Sequence, residues 1–230
     1  MKKGIVVDII LPLILLMGLT IMFWITDLDL WISGHFFVPG EGWVPKDGQP
    51  WRFLYDYGPF PALLLAIGAL IIFIASFWSR TLISYRKAAL FCVLLILIGP
   101  GLVVNVIFKD HWGRPRPKYV QEFSGPNPFH YVWQKGEAGN GHSFPSGHAS
   151  MGFFLIAPYF VLRKTSKKWA YVFLTIGICW GLTIGFARIV QGGHFASDVI
   201  WAGGLVYFFG LGLSSALRLD HRPRHLSDTG

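Results

Sequence analysis

Charged residues are scarce in this sequence. Only 14% of its 230 residues are Asp, Glu, Lys or Arg, whereas 53% are hydrophobic, and soluble domains carry about a quarter charged residues. The hydrophobic residues lie in long blocks, and about 20 of them in a helix cross about 30 Å of hydrocarbon. We therefore expect an all-α, polytopic membrane protein rather than a soluble domain. The six predicted spans are residues 5–26, 61–79, 88–108, 147–162, 169–187 and 198–217.

Cysteine is also rare, which excludes a disulfide-rich scaffold. Cys92 and Cys179 are the only two cysteines, and each falls inside a predicted span. We expect two packed, reduced thiols and no disulfide.

The first predicted span begins just after Met1-Lys2-Lys3, which resembles the basic start of a signal peptide. Its apolar run is longer than a signal-peptide core, and no small-residue cleavage site follows it. We expect a retained anchor and one membrane domain over residues 1–230.

Motifs for a catalytic metal are absent as well. The sequence has no HExxH and no carboxylate cluster of the kind that holds magnesium or paired metals. Its candidate ligands, such as His111, His142, His148 and His194, are accompanied by several cations that would repel a divalent metal. We expect neither a metal nor another cofactor.

The formal charge is +8 at pH 7, but the positive charges are sorted by loop. One set of loops carries Lys2, Lys3, Arg80, Arg86, Lys87, Arg163, Lys164, Lys167, Lys168, Arg218, Arg222 and Arg224. The positive-inside rule assigns these loops and both termini to the cytoplasm of a bacterial inner membrane. This sorting accounts for the basic composition, so we expect membrane lipids as partners, with no nucleic acid and no evident protein partner.

Two long loops lie on the other side of the membrane. Residues 27–60 are rich in aromatic residues, and Trp31, Trp43 and Trp51 suit the headgroup layer. Residues 109–146 contain several Pro and Gly, which predicts irregular structure or short helices. Counting the spans also brings Lys109, Ser146 to His148, Arg188 and His194 to this outer, periplasmic or extracellular face.

Lys109 and Arg116 form the first candidate motif. Pro115 and Pro117 interrupt any helix around Arg116, so the chain turns back and both cations can approach one anion. Arginine presents a planar fork to phosphate oxygens, and lysine presents a point charge. The alternative is that both side chains bind lipid headgroups.

Pro145-Ser146-Gly147-His148 forms the second motif, directly before an apolar run. Serine is a favoured N-cap, glycine permits close backbone approach, and a helix N-terminus attracts phosphate. His148 would then face the bound anion or its leaving group. An ordinary helix cap with an interfacial histidine is the alternative.

The third motif is Arg188 with His194 and Asp198. Four residues separate His194 from Asp198, so they would share one helical face, where the carboxylate could hold the imidazole and leave its other nitrogen nucleophilic. Arg188 lies one short turn upstream, within reach of the same anion. The alternative is a structural His–Asp pair at the interface.

Together the three motifs resemble the signature of the type 2 phosphatidic acid phosphatase (PAP2) superfamily, and the six-span layout agrees with it. The motifs stand as Lys109-x6-Arg116-Pro117, Pro145-Ser146-Gly147-His148 and Arg188-x5-His194-x3-Asp198. One departure is Ala187, which precedes Arg188 where the family often has serine. We expect Ala187 to remove a supporting hydrogen bond without preventing the reaction.

The resemblance implies a metal-independent phosphatase that works in two steps. His194 would attack phosphorus and form a phosphohistidine, oriented by Asp198, and His148 would protonate the leaving oxygen and then activate water. The phosphate-binding residues would be Lys109, Arg116, Ser146, Gly147 and Arg188, with Arg114 only an accessory. The implied substrate is a phosphorylated lipid: undecaprenyl pyrophosphate, phosphatidylglycerophosphate or lipid A 1-phosphate.

Three alternatives to a lipid phosphatase remain. A lipid phosphotransferase would pass the phosphoryl group to another lipid. A non-catalytic phospholipid transporter would carry polar residues deep within its spans, whereas the polar residues here gather at one surface. Vanadium haloperoxidases have a similar anion-binding pattern, but they are soluble proteins, whereas this sequence predicts a membrane protein.

Overall fold

The computed structural model describes residues 6–43, 48–139 and 141–219. The described residues form helices joined by turns, and they contain no β-strand beyond two isolated bridges. This confirms the predicted all-α fold of a polytopic membrane protein.

We number the principal helices in chain order. They are α1 (Leu11–Ile25), α2 (Leu28–Gly34), α3 (Trp51–Tyr57), α4 (Phe60–Ala75), α5 (Arg86–Ile96), α6 (Gly147–Phe153), α7 (Ala157–Leu162), α8 (Lys167–Val190) and α9 (Ala196–Ala216). A π-helical turn, Val6–Ile10, precedes α1, and a π-helical stretch, Leu97–Phe108, continues α5. The 3-10 helices are Leu82–Tyr85, Pro117–Tyr119, Gln121–Phe123 and Phe154–Ile156.

Five helical segments in the described chain are long and apolar enough to cross a membrane, and one of them joins α3 to α4. They run over Val6–Ile25, Trp51–Ala75, Leu82–His111, Lys167–Val190 and Ala196–Ala216. The remaining predicted span corresponds to the shorter apolar helix Gly147–Leu162. Its interior is α6 and α7 joined by a 3-10 turn, and it is the most enclosed of the six segments.

Small residues bring α6, α8 and α9 close together. A Cβ atom on Gly152 of α6 would lie 2.7 Å from the Cα atom of Gly181 in α8, and one on Gly185 would lie 2.2 Å from Cγ1 of Val199 in α9. Because a Cβ atom would not fit at either glycine, α6 and α8 meet backbone to backbone, and the Val199 side chain of α9 packs on the backbone of α8. The contact aligns the end of α8 with the starts of α6 and α9, where the three motifs lie.

The two long loops contain short helices, in agreement with the sequence. Residues 27–60 include α2 and α3, and residues 112–146 include two 3-10 helices. The prediction for Trp43 is wrong. Its side chain is buried at 8% exposure among Val120, Phe123 and Phe195, because the two long loops pack against each other over the end of the bundle.

The opposite end of the bundle carries Arg163, one of the basic residues that the sequence analysis assigns to the cytoplasmic loops. Arg163 lies 3.3 Å from Asp8, so the start of the first helix is tied to the end of α7. The predicted signals at Lys2, Lys3, Arg222 and Arg224, and with them both termini, lie outside the described residues.

Both cysteines are free; Cys92 is buried, whereas Cys179 is exposed on α8 and not packed as predicted.

Candidate active site

The ionisable residues of the three motifs converge at one end of the bundle. Lys109, Arg116 and Arg188 all interact electrostatically with the imidazoles of His148 and His194. These five side chains come from the end of the π-helical stretch, the following loop, α8, α6 and the turn before α9. The structure therefore brings together three cations and two imidazoles that are distant in sequence.

Lys109 is held in this cluster by Asn105. The Lys109 ammonium donates a hydrogen bond to Oδ1 of Asn105 at 3.3 Å, and the Asn105 amide nitrogen donates to the carbonyl of Pro100 at 2.7 Å. A Cβ atom on Gly147 would lie only 2.3 Å from the same Asn105 oxygen. Gly147 is therefore needed for α6 to begin beside Lys109.

Arg116 and Arg188 each present a buried donor with no protein acceptor. The Nε atoms of both guanidinium groups are buried and have no hydrogen-bond partner among the described residues. Buried donors are nearly always paired, so two orphaned arginine donors in one cluster indicate a ligand that supplies acceptors. Phosphate oxygens match this geometry and charge.

A tight glycine turn after α8 shapes the space around Arg188. Gly192 has a φ of +63°, which favours glycine, and a Cβ atom on Gly193 would lie 2.2 Å from Nη2 of Arg188. The Arg188 guanidinium also donates to the side-chain oxygen of Gln191. The turn thus lets the guanidinium lie directly beside the backbone that leads to His194.

Burial and nearby charge keep the His194 imidazole neutral. The ring is 1% exposed, and its Nδ1 atom lies 2.5 Å from the carbonyl oxygen of Ser143. Because a carbonyl only accepts, Nδ1 carries the proton and Nε2 keeps its lone pair. Burial, followed by the charges of Arg188, Arg116 and Lys109, lowers the pKa of His194 well below its ordinary value; the Ser143 hydrogen bond acts in the opposite direction.

Asp198 is placed differently from the prediction, which expected it to hold the imidazole directly. Its Oδ2 atom lies 3.9 Å from Nδ1 of His194, beyond hydrogen-bond range. Oδ2 instead accepts from the Ser143 hydroxyl at 2.6 Å and from the backbone N–H of Phe195 at 2.8 Å. His194 precedes the first residue of α9, so the two residues do not share a helical face. Asp198 caps the helix, and Ser143 lies between it and His194 by donating its hydroxyl to Asp198 and accepting from His194 at its carbonyl.

Arg114 and Asp29 form a buried ion network that the sequence did not reveal. Arg114 is fully buried, and its guanidinium donates to Asp198 at 2.5 Å, to Asp29 at 2.8 Å and to Ser197 at 2.8 Å. Asp29, from α2, also accepts from the backbone N–H of Ser197 at 2.9 Å. Arg114 is therefore turned away from the cation cluster, and its role is to hold Asp198. The only sequence signal was a charged residue next to a motif.

Ser146 begins α6 as predicted, and it also joins two helix starts. Its side-chain oxygen accepts from the Ala149 N–H at 3.5 Å, which is a weak cap, and its own N–H donates to the carbonyl of Asp198 at 3.2 Å. Ser146 is fully buried. The second and third motifs are thus connected through the backbone.

His148 differs from His194 in how its ring is held. Within the described residues no hydrogen bond fixes its imidazole, but the ring stacks on Tyr55 of α3 with centroids 4.6 Å apart and planes at 21°. No sequence pattern pointed to Tyr55, which lies in an aromatic loop among similar residues.

The lowered pKa of His194 predicts its titration. A histidine with an ordinary pKa is half protonated near pH 6.5, whereas His194 should remain neutral there and gain its proton only when the pH falls well below that value. The measurement is NMR of the protein labelled with 13C at histidine Cε1, titrated in detergent, with His194→Ala assigning the signal. A midpoint at or above pH 6.5 would contradict the burial and charge effects described here.

Comparisons with known proteins agree with the site. A family model described as the PAP2 superfamily matches residues 88–219, a range that contains all three motifs. No solved structure is significantly similar to the chain.

Three curated relatives carry the name lipid A 4'-phosphatase. The protein of Francisella tularensis subsp. novicida (strain U112) is 37% identical over 210 residues, which cover 84% of this chain and 90% of the relative. Those of Rhizobium etli and Rhizobium leguminosarum are 36% and 38% identical over about half of this chain; the matches cover 45% and 50% of the relatives.

Proposed function

The chain belongs to the PAP2 superfamily and is a bacterial membrane lipid phosphatase, and from this premise we propose that it removes the 4'-phosphate of lipid A without a metal ion. The choice of substrate rests on the similarity to the relative from Francisella, which extends over 90% of that protein's length. That relative is named a lipid A 4'-phosphatase. This choice differs from the three lipids expected from the sequence, among which lipid A was expected to lose its 1-phosphate.

The cation cluster supports phosphate binding without a metal. Lys109, Arg116 and Arg188 would neutralise the equatorial oxygens, with the start of α6 at Ser146 and Gly147 beside them. The orphaned Nε atoms of the two arginines supply donors that phosphate oxygens would satisfy. Phosphoryl transfer depends mainly on positioning and charge stabilisation, and three fixed cations provide both.

His194 is the proposed nucleophile of the first step. Its Nε2 lone pair attacks phosphorus in line, so that an N–P bond forms while the bond from phosphorus to the leaving lipid oxygen breaks. His148, in its imidazolium form, supplies a proton to that oxygen and becomes neutral. The carbonyl of Ser143 holds Nδ1–H at 2.5 Å, which supports the tautomer that the attack requires.

The second step returns the enzyme to its starting state. His148, having lost its proton, takes one from a water molecule, and the water oxygen attacks phosphorus as the N–P bond breaks. Inorganic phosphate leaves and His194 is neutral again. Asp198 would act throughout by holding Ser143, and Arg114 by holding Asp198.

We propose the periplasmic face as the location of the site, with both termini in the cytoplasm. The basic residues of the described chain that mark the cytoplasmic side, such as Arg86, Arg163 and Lys167, lie at the opposite end of the bundle from His194. A lipid A molecule in an outer-facing leaflet presents its phosphates at that face.

The test is phosphate release by the detergent-purified protein in excess EDTA, with His194→Ala as the control. The panel holds bisphosphorylated lipid A, its 1-phosphate and 4'-phosphate forms, undecaprenyl pyrophosphate, phosphatidylglycerophosphate and phosphatidic acid. We expect EDTA-resistant loss of the 4'-phosphate, assigned by mass spectrometry. Phosphate release from another lipid alone would identify that lipid as the substrate instead of lipid A. Phosphate release that EDTA abolishes would contradict metal independence. Transfer of labelled phosphate to a second lipid would instead indicate a phosphotransferase.

A further inference from the structure

We infer that Tyr55 is a positioning residue for the active site: its ring sets the plane of the His148 imidazole. The inference rests on the proposed function, in which His148 gives a proton to the leaving oxygen. Tyr55 lies outside residues 88–219, the range that the family model matches. It would therefore be a contribution of this chain's first long loop to the catalytic centre.

The two histidines of the site are held in different ways. His194 is restrained by a hydrogen bond to the Ser143 carbonyl, whereas no hydrogen bond restrains His148 in the part of the chain that the structure describes. The contact that orients the His148 ring is the nearly parallel stack on Tyr55, at 4.6 Å and 21°. A proton donor needs a defined direction toward its acceptor, and the stack restricts rotation of the imidazole out of its plane.

Tyr55 is itself held in place by Arg188. The guanidinium carbon of Arg188 lies 4.5 Å from the centre of the Tyr55 ring, which is a favourable cation–π distance. Tyr55 thus contacts a residue of the phosphate-binding cluster and the proposed proton donor at once. Its ring therefore holds the His148 imidazole at a defined place relative to the phosphate-binding Arg188.

The helix that carries Tyr55, α3, packs closely against α8. Nε1 of Trp180 donates to the carbonyl of Gly58 at 3.0 Å, and the rings of Trp51 and Phe186 meet edge to face at 5.5 Å. A Cβ atom on Gly58 would lie 2.9 Å from Ile184, so the end of α3 lies close against α8. Since α8 also carries Arg188, the Tyr55 ring and the cation cluster share one support.

The leaving group distinguishes a role through His148 from simple packing. An alkanol leaves with a pKa near that of water, about 15.7, so breaking its ester needs a proton. A phenol leaves with a pKa of about 10 and needs that proton much less. If Tyr55 positions the proton donor, its loss should slow the alkyl ester far more than the aryl ester.

The experiment measures kcat/KM for dodecyl phosphate and 4-dodecylphenyl phosphate, which are matched in chain length and phosphate. Because kcat/KM reports the steps up to the phosphoenzyme, later water attack does not affect it. We expect Tyr55→Leu to lower the value for the alkyl ester by about 10- to 100-fold, the range that misplacement of a catalytic group produces. For the aryl ester, kcat/KM of Tyr55→Leu should change less than about threefold. The variant Tyr55→Phe, which keeps the stack, should retain most of the original kcat/KM for the alkyl ester.

The matched control is Tyr57→Leu on the same helix. Tyr57 contacts Phe53 and Phe60 instead of His148, so neither ester should be affected. Equal losses for both esters in Tyr55→Leu, or no loss, would overturn the inference. If Tyr55→Leu fails to fold in a thermal unfolding assay, Tyr55→Met provides a second variant without the stack.

His148→Ala separates the inference from the function on which it rests. A strong preference for the aryl ester in His148→Ala, without such a preference in Tyr55→Leu, overturns only the role of Tyr55. Equal losses for both esters in His148→Ala overturn the proposed proton donor, and the inference with it.

Discussion

We expect His194→Ala to lower phosphate release by about 10⁴- to 10⁶-fold, the range for loss of a catalytic nucleophile. The variant removes the only proposed acceptor of the phosphoryl group, whereas the cations that bind the substrate remain. The measurement is phosphate release from lipid A, together with acid-sensitive, alkali-stable labelling of the protein by 32P-labelled substrate. Both should be lost.

The control for this prediction is His111→Ala. His111 is exposed near the same end of the bundle, and its Nδ1 atom contacts the carbonyl of Ile107 in its own helix, so its removal should leave both readouts unchanged. A His194→Ala protein that is still labelled by the substrate would show that another residue accepts the phosphoryl group.

The second large effect concerns stability. We expect Arg114→Met to lower the free energy of unfolding by about 3–5 kcal/mol, because it leaves the carboxylates of Asp29 and Asp198 buried without their cation. Both side chains are almost fully buried in the ion pairs with Arg114. The measurement is unfolding in mixed detergent–SDS micelles, and the midpoint should shift strongly.

The exposed pair between Arg52 and Asp56 is the matched control for this change. These side chains are 67% and 46% exposed and 3.8 Å apart, so Arg52→Met should cost less than about 1 kcal/mol. The double variant Arg114→Met with Asp29→Asn should regain part of the stability, since one buried charge is gone. Equal effects of Arg114→Met and Arg52→Met would contradict the role assigned to the buried network.

Much of the site could be predicted because its residues occur in short local patterns. Lys109, Arg116, His148, Arg188 and His194 each stand at the end of an apolar run, and the alternation of runs predicts that they meet at one end. The structure brings them together there.

The partners of these residues could not be predicted in the same way. Ser143 contributes a backbone carbonyl to His194, and a carbonyl has no residue-specific signal in a sequence. Asp29 and Arg114 are 85 positions apart, and neither lies in a spacing that points to the other. The assumption that His194 and Asp198 share a helical face was wrong because α9 begins at Ala196, two residues after His194.

The sequence by itself determined the class of protein, the approximate helical segments and the residues that we propose for the chemistry. Hydropathy and helix length depend on residue composition within one segment, so they are present in the chain before it folds. Only the tertiary structure decided that Asp198 accepts a hydrogen bond from Ser143, that Arg114 faces inward, and that Tyr55 stacks on His148. These contacts join segments far apart in sequence, and they depend on how closely α6, α8 and α9 pack at their glycines.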